Sequence, residues 1–217
     1  MRRAVLFDWR GTLVVPPSLD DWIADGFRRA GRPMARPMIA EISERLRTSN
    51  SAKLRLDTPG IDTDIALHRR IYLEVLEDLG IDGELAGHMY ASECDWRQNR
   101  FAHDAERVIR TLHRSGVLIG VVSDIHFDIR PAFQSLGVSD AVHAYSLSFE
   151  IGAQKPDQAI FNHALTALGV TASETVMVGD RPGPDGGAVE HGIAALLLPS
   201  LTSPNDLRLE AVLRLVL

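Results

Sequence analysis

The sequence of 217 residues contains a single cysteine, Cys94, which excludes an intrachain disulfide and a zinc site built from cysteines. Long apolar runs are also absent, since the longest (residues 117–122 and 193–198) fall far short of the ~18 residues of a membrane span. The first apolar run ends at Asp8, too early for a secretory signal. We therefore expect a cytoplasmic protein with no membrane partner.

A surplus of positive charge is missing as well. The chain has 23 Lys and Arg residues against 29 Asp and Glu residues, a net charge of −6. Because non-specific binding to nucleic acid needs a basic surface, we expect no nucleic-acid partner. The patterns GxGxxG, GxxxxGK[ST] and HExxH do not occur either, so three common signatures of nucleotide and zinc sites are excluded.

Five short apolar runs predict the strands of a buried sheet: residues 4–7, 117–122, 141–147, 176–178 and 193–198. Continuous apolar runs of this length are typical of parallel strands covered on both faces. Helical patterns that end at a glycine lie between them, over residues 105–115, 129–136 and 157–168, and a last helix is predicted over 205–217. The alternation predicts an α/β fold with a parallel sheet covered by helices.

The region from Val14 to Arg100 breaks this alternation, because it contains no convincing buried strand. Helices are predicted there near residues 19–30, 37–48, 62–79 and 84–96. The predicted division is a core of residues 1–14 and 101–217 and a helical domain of residues 15–100, with linkers over 14–18 and 98–104. A length equal to ~1.4 average domains agrees with one core that carries an insertion.

Polar residues stand after four of the predicted strands. They are Asp8, Ser123, Lys155 and Asp180, with Asp185 five residues further on. The ligand site of an open parallel sheet lies beyond the carboxyl ends of its strands, so these side chains are expected at one edge.

This set of side chains has a chemical logic. Three carboxylates in a small volume repel one another, and a hard cation with oxygen ligands relieves that repulsion. Mg²⁺ is suitable, since it takes few carboxylates and keeps waters and a phosphate oxygen. Ser123 and Lys155 would bind the other phosphoryl oxygens. Lys155 would also hold an adjacent carboxylate in its ionised form, and an aspartate can then attack phosphorus and form an aspartyl-phosphate.

Four segments carry a family resemblance: FDWRGTL around Asp8, VVSD ending at Asp124, KPD beginning at Lys155, and GDRPGPD over residues 179–185. In their order and spacing the sequence resembles the haloacid dehalogenase-like hydrolases, which are mostly phosphatases, over essentially the whole chain. The resemblance implies a Rossmann-like core with a helical cap inserted after the first segment.

The resemblance also implies roles for single residues. Asp8 is the implied nucleophile, and the implied catalytic set is Asp8, Arg10 and Lys155. The implied magnesium ligands are Asp8, the backbone carbonyl of Arg10, Asp180 and Asp185. The implied phosphoryl-binding residues are Thr12, Ser123, Asp124 and Lys155.

Position 10 departs from the phosphatase pattern, which has an aspartate two residues after the nucleophile as general acid and base. Arg10 stands there instead, and arginine stays protonated and cannot accept a proton. General acid–base help is worth ~10²–10⁴-fold in rate. Arg10 could clamp an anionic substrate or pair with a neighbouring carboxylate, and His126 is a candidate for the missing proton transfer.

The sequence therefore predicts a Mg²⁺-dependent hydrolase of small phosphorylated metabolites, as a monomer or homodimer. Two alternatives stay open. One is a non-catalytic or vestigial binding protein on the same fold. The other is a haloacid dehalogenase-type hydrolase, which also lacks the second aspartate, although those enzymes need no metal and leave Asp180 and Asp185 unexplained.

Overall fold

A parallel five-stranded sheet forms the centre of the computed structural model, which describes residues 2–217. The strands along the described chain are β1 (Ala4–Phe7), β2 (Val14–Val15), β3 (Arg100–Phe101), β4 (Leu118–Ser123), β5 (Ala144–Leu147), β6 (Thr175–Gly179) and β7 (Ala194–Leu197). The sheet has the order β5-β4-β1-β6-β7, and all of its pairings are parallel. In the centre, Phe7 of β1 lies between Val121 and Val178.

Helices make up most of the rest of the described chain. They are α1 (Leu19–Arg29), α2 (Arg36–Thr48), α3 (Asn50–Leu56), α4 (Ile65–Asp78), α5 (Gly83–Glu93), α6 (Ala105–Arg114), α7 (Arg130–Leu136), α8 (Ser148–Ile151), α9 (Gln158–Leu168) and α10 (Glu210–Val216). Short 3-10 turns lie at Ile61–Thr63, Trp96–Gln98, Ala172–Glu174 and Gly186–His191. Across residues 2–217 no helix is long and apolar enough to cross a membrane.

Alternate residues of β1 face the two sides of the sheet. Val5 and Phe7 belong to one hydrophobic cluster, together with side chains of α6, α7 and α10. Ala4 and Leu6 belong to a second cluster, together with side chains of α9. Both faces are therefore buried, which explains the unbroken apolar runs of the strands and confirms the predicted α/β class.

The helices α1–α5 form a helical insertion (residues 19–93) between β2 and β3, with a hydrophobic cluster of its own. The helix α1 packs closely on α5 at Gly26, where a Cβ atom would collide with the side chain of Met89. The indole Nε1 of Trp22 donates to the carbonyl oxygen of Met89 at 2.9 Å. The insertion thus has its own packing, while the exact domain limits at residues 15 and 100 stay a prediction.

The strandless interpretation of residues 14–100 was wrong at its two ends. The predicted linkers contain β2 and β3, which pair antiparallel with Val14 opposite Phe101 and Val15 opposite Arg100. Two-residue strands carry no periodicity, so the sequence offers no signal for them. The short helix α3 was also missed, although Ser49 caps it by accepting from the N–H of Ala52 at 3.1 Å.

Several strands and helices begin or end at residues other than those predicted. The apolar run of residues 141–147 becomes a strand only at Ala144, because the residues before it form a buried turn. The helix predicted from residue 62 begins after Asp64, which caps α4 by accepting from the N–H of Leu67. The helix predicted over 84–96 ends at Glu93, and the one predicted from residue 205 begins at Glu210.

Candidate active site

Asp8 lies directly after β1, at the middle of the carboxyl edge of the sheet, and is 2% exposed. Its backbone N–H donates to the carbonyl of Val178 at 2.9 Å, which continues the pairing of β1 with β6. The chain then turns at Gly11, whose φ of +81° favours glycine. A side chain at position 11 would also collide with the carboxylate of Asp180.

A buried ion triad joins three of the predicted site residues. Lys155 Nζ lies 2.5 Å from Asp8 Oδ1 and 2.6 Å from Asp185 Oδ1. Burial disfavours the ammonium ion, but the charge of Asp8 and its neighbours holds the pKa of Lys155 above its ordinary value. One positive and two negative charges leave the ionised triad with a net charge of −1.

The two oxygens of Asp8 have different surroundings. Oδ1 accepts from Lys155, whereas Oδ2 is buried and has no hydrogen-bond partner within the described chain. Burial raises the pKa of Asp8 to about 6, with Lys155 opposing the rise and Asp185 adding to it. A buried carboxylate oxygen without a partner is costly, so a cation or an electrophile that approaches Oδ2 relieves that cost.

The carboxylates of the last segment are also held in place. Thr12 Oγ1 lies 3.5 Å from Asp180 Oδ1, and the hydroxyl of Ser200 donates to Asp180 Oδ2. Asp185 Oδ2 accepts from the backbone N–H groups of Asp180 at 3.0 Å and Arg181 at 2.9 Å. Asp185 therefore shapes this loop and orients Lys155 at the same time.

Three carboxylates at this edge fit a divalent cation. One oxygen each from Asp8, Asp180 and Asp185 lies within 4.8 Å of the others. The unpartnered Oδ2 of Asp8 and the net negative charge of the triad both favour a hard cation such as Mg²⁺. Since Asp185 already accepts from Lys155 and two amides, Asp8 and Asp180 have the more available oxygens.

Two predicted phosphoryl-binding residues lie at the end of β4. Ser123 is 2% exposed and lines the same cavity as Asp8. The carboxylate of Asp124 accepts from the backbone N–H of Lys155 at 2.8 Å and from Arg181 Nη2 at 3.0 Å. Asp124 thus connects the loops after β4, β5 and β6, and its contact with a phosphoryl group stays a prediction.

Arg10 contacts the helical insertion and its linker. Its Nη1 donates to Glu93 Oε1 at 2.5 Å, and its Nε donates to Asn99 Oδ1 at 2.9 Å. Burial opposes the charge of Arg10, but Glu93 raises its pKa, so the guanidinium stays charged. Within the described residues Arg10 forms no ion pair with Asp8, and it joins the sheet edge to α5.

A second polar cluster lies between the sheet edge and the helical insertion. His126 Nδ1 is 3.2 Å from Asp62 Oδ1, and His68 Nε2 is 3.7 Å from the same oxygen. The two imidazole rings are stacked, with centroids 3.3 Å apart and planes inclined by 12°. Asp62, His68, Glu93 and Asn99 were missed in the sequence, because they belong to no motif and only the packing of the insertion brings them here.

A cavity of about 310 Å³ joins the two sets of residues. The polar residues that line it are Asp8, Arg10, Asp62, His68, Tyr72, Glu93, Ser123, Asp124, His126 and Arg181. A second cavity of about 330 Å³, mostly apolar, lies within the insertion and shares Arg10, Leu56, Tyr72 and Glu93 with the first. The two cavities are therefore neighbours, with Arg10, Tyr72 and Glu93 in the wall of both.

Comparison with known proteins identifies the family. Residues 2–190 match the family described as haloacid dehalogenase-like hydrolases. The chain belongs to the haloacid dehalogenase-like hydrolase family. This confirms the resemblance of its four segments. It also fits the sheet, whose strand ends bring Asp8, Ser123, Lys155 and Asp180 of this hydrolase together.

Two characterised relatives of this hydrolase are named as phosphatases. A phosphoserine phosphatase of Thermus thermophilus is 29% identical over 161 residues, which is 70% of this chain and 64% of the relative. A ribulose-1,5-bisphosphate 5-phosphatase of Halopiger xanaduensis is 29% identical over 190 residues, which is 83% of this chain and 77% of the relative. The chain thus spans just under two thirds of the first relative.

A solved structure shares the fold but has another name. The 2-haloacid dehalogenase of Pseudomonas syringae pv. Tomato superimposes with a TM-score of 0.64 over all of this chain and 98% of its own. Its sequence identity of 24% shows the fold alone. The two proteins therefore share a fold, and this likeness does not decide between phosphatase and dehalogenase chemistry.

Proposed function

We propose that this haloacid dehalogenase-like hydrolase removes the phosphoryl group from small phosphomonoesters through an aspartyl-phosphate on Asp8, with Mg²⁺ as cofactor. The observation that carries the proposal is the buried triad of Asp8, Lys155 and Asp185. Lys155 donates a hydrogen bond to Oδ1 of Asp8, while Oδ2 has no hydrogen-bond partner within the described residues. Asp8 also lines the cavity. A nucleophile needs such an oriented, ionised oxygen.

The residues around Asp8 have matching roles in this reaction. Lys155 keeps Asp8 ionised and, with the hydroxyl of Ser123, binds the phosphoryl oxygens. Bound Mg²⁺ would be held by Asp8 and Asp180, with Asp185 and the backbone carbonyl of Arg10 in support, and would neutralise charge on the phosphoryl group. Thr12 and Ser200 orient Asp180 for that purpose.

The helical insertion serves as a cap in this proposal. It contributes Asp62, His68 and Glu93 to the wall of the cavity, and the Arg10–Glu93 pair connects it to the sheet edge. A cap that covers the site excludes water and contacts the part of the substrate beyond the phosphorus. The cavity of about 310 Å³ suits a small metabolite.

The phosphatase names of the two relatives favour this chemistry over dehalogenation. The acid pair at residues 180 and 185 favours it as well, since displacement of a halide at carbon needs no metal-binding carboxylates. The position of Arg10 does not contradict it, because the side chain is bound to Glu93 and Asn99 and leaves Asp8 uncovered. A residue other than Arg10 then has to transfer the proton to the leaving group.

The test is phosphate release from p-nitrophenyl phosphate and a panel of metabolite phosphomonoesters with Mg²⁺. We expect turnover by the wild type, its loss in Asp8→Asn and its loss with EDTA. Asp140→Asn changes an exposed aspartate that does not line the cavity, so this variant is the matched control and should stay active. Turnover no higher than in Asp8→Asn would contradict the proposal, and chloride release from 2-chloropropionate without metal would favour the dehalogenase.

A further inference from the structure

The phosphatase reaction needs a group that gives a proton to the leaving oxygen and later takes one from water. Arg10 cannot do this, because it stays charged and its guanidinium is bound to Glu93 and Asn99. The cavity wall has several other titratable groups, but Glu93 is paired with Arg10, and Asp124 accepts from Arg181 and from the backbone of Lys155. Among them, His126 has the chemistry and the surroundings that the task requires.

His126 is buried, and one of its ring nitrogens is free. It lies three residues after Ser123 and lines the cavity together with Asp8. Its Nδ1 is 3.2 Å from Asp62 Oδ1, and its Nε2 has no hydrogen-bond partner within residues 2–217. Since a carboxylate only accepts, Nδ1 carries a proton and Nε2 is the atom that can exchange one.

A metal ion does not explain this cluster. Donor atoms of Asp62, His68 and His126 lie within 4.8 Å of one another, as in many metal sites. However, the rings of His68 and His126 lie face to face at 3.3 Å, so their in-plane lone pairs run side by side and do not converge on one ion. The cluster therefore lacks the convergent donor geometry of a shared metal site.

We propose that His126 is the general acid and base of this hydrolase and that Asp62 is the positioning residue that orients its ring. The proposal rests on the phosphatase function proposed above and assigns the proton transfer that Arg10 cannot perform. The dyad is divided between the two parts of the chain, since His126 follows β4 and Asp62 belongs to the insertion side of the cavity.

The groups that face His126 support this assignment. Burial disfavours the ionised form of Asp62, but its hydrogen bond to His126 and the positive charges nearby hold its pKa below the ordinary value. His68, stacked on the ring from α4, has its pKa lowered to about 3 by burial and by His126, so it stays neutral and does not compete for the proton. Tyr90 of α5 hydrogen-bonds His68 Nδ1, and Arg10 is the nearby permanent charge.

Asp62 is anchored to the sheet side of the molecule. Ser148 Oγ donates to the backbone carbonyl of Asp62 at 2.9 Å, and the backbone N–H of Gly60 donates to Gln154 Oε1 at 2.9 Å. These contacts fix the 3-10 turn at Ile61–Thr63 against the loops after β4 and β5. The dyad thus exists only while this turn is docked on the sheet edge.

The proposed reaction has two chemical steps. In the first, Asp8 Oδ2 forms a bond to phosphorus, the bond from phosphorus to the leaving oxygen breaks, and that oxygen takes the proton of His126 Nε2. In the second, neutral His126 Nε2 takes a proton from water, and the water oxygen bonds to phosphorus. The bond from phosphorus to Asp8 then breaks, which releases phosphate and restores the carboxylate and the imidazolium.

The first test compares leaving groups. His126→Ala should lose ~10²–10⁴-fold in kcat/KM on an alkyl phosphomonoester, and far less on p-nitrophenyl phosphate, whose phenolate leaves without a proton. Added imidazole should restore part of the loss. Asp62→Asn should lower kcat with little change in KM. His88→Ala, a cap histidine outside the cavity wall, is the matched control and should be unaffected.

The second test does not depend on turnover. Nitrogen NMR of the imidazole rings should find neutral His126 with its proton on Nδ1, and Asp62→Asn should abolish that preference. A proton on Nε2, or equal losses in His126→Ala on both leaving groups without imidazole rescue, would overturn the proposal. If the wild type hydrolyses no phosphomonoester, the proposed function fails, and the ring spectrum still decides whether Asp62 orients His126.

Discussion

At the scale of single residues, the most informative position is 10. The family pattern implies a proton-transferring aspartate at this position, and an arginine there raises the question whether the site is active. The side chain has instead been recruited as a connection, since it pairs with Glu93 of α5 and Asn99 of the returning linker. In our proposal the pair of His126 and Asp62 in the same cavity takes over the proton transfer that position 10 lacks.

Arg10→Asp should therefore reduce activity and not create it. The variant places a carboxylate beside Glu93 and removes a charged hydrogen-bonding partner, which should cost about 1.5–3 kcal/mol in the free energy of unfolding. Chemical denaturation and kcat/KM measure the two effects. The double variant Arg10→Asp with Glu93→Arg is the control, because it restores opposite charges. A gain in turnover in the single variant would show that Arg10 alone had silenced the site.

Binding of Mg²⁺ should depend on the protonation of Asp8. Burial raises the pKa of Asp8 to about 6, so protons compete with the cation for the Asp8 carboxylate as the pH falls through that value. Below about pH 6 we expect the apparent Kd for Mg²⁺ to rise by roughly tenfold per pH unit. Calorimetric titrations at several pH values measure this change. An affinity that is constant across that range would refute the role of Asp8 as a ligand.

At the scale of elements, strand ends were predictable from the sequence and the insertion was not. Asp8, Ser123, Lys155 and Asp180 meet because parallel strands end at one edge, which the apolar runs already indicate. Asp62 and Glu93 reach the site only through the packing of α1, α4 and α5. No local pattern encodes that packing, so the sequence could not show which faces of these helices meet the sheet.

The contact between α1 and α5 gives a test at this scale. A methyl group at position 26 would collide with Met89, so Gly26→Ala should lower the free energy of unfolding by about 1–3 kcal/mol through overpacking. Gly87→Ala is the matched control on α5, because a Cβ atom at this position has open space. This substitution should stabilise the helix by about 0.5–1 kcal/mol. Equal effects of the two substitutions in chemical denaturation would contradict the close packing.

At the scale of the whole molecule, the hydrolase consists of a sheet that carries Asp8, the proposed nucleophile, and an insertion that completes the cavity. The connections between them are the β2–β3 pair, the Arg10–Glu93 ion pair and the docked turn at Ile61–Thr63. Each of the three connections either contains a residue of the proposed mechanism or lies beside such a residue. These connections hold residues of the insertion at the cavity that Asp8 lines.

The central claim is that Asp8 carries the phosphoryl group during turnover. The direct measurement is an acid quench of the enzyme with an alkyl phosphomonoester and Mg²⁺, followed by peptide mass spectrometry. The account predicts a phosphoryl adduct on the peptide that contains Asp8, absent in Asp8→Asn. An adduct on another residue, or phosphate release by Asp8→Asn at the wild-type rate, would contradict it.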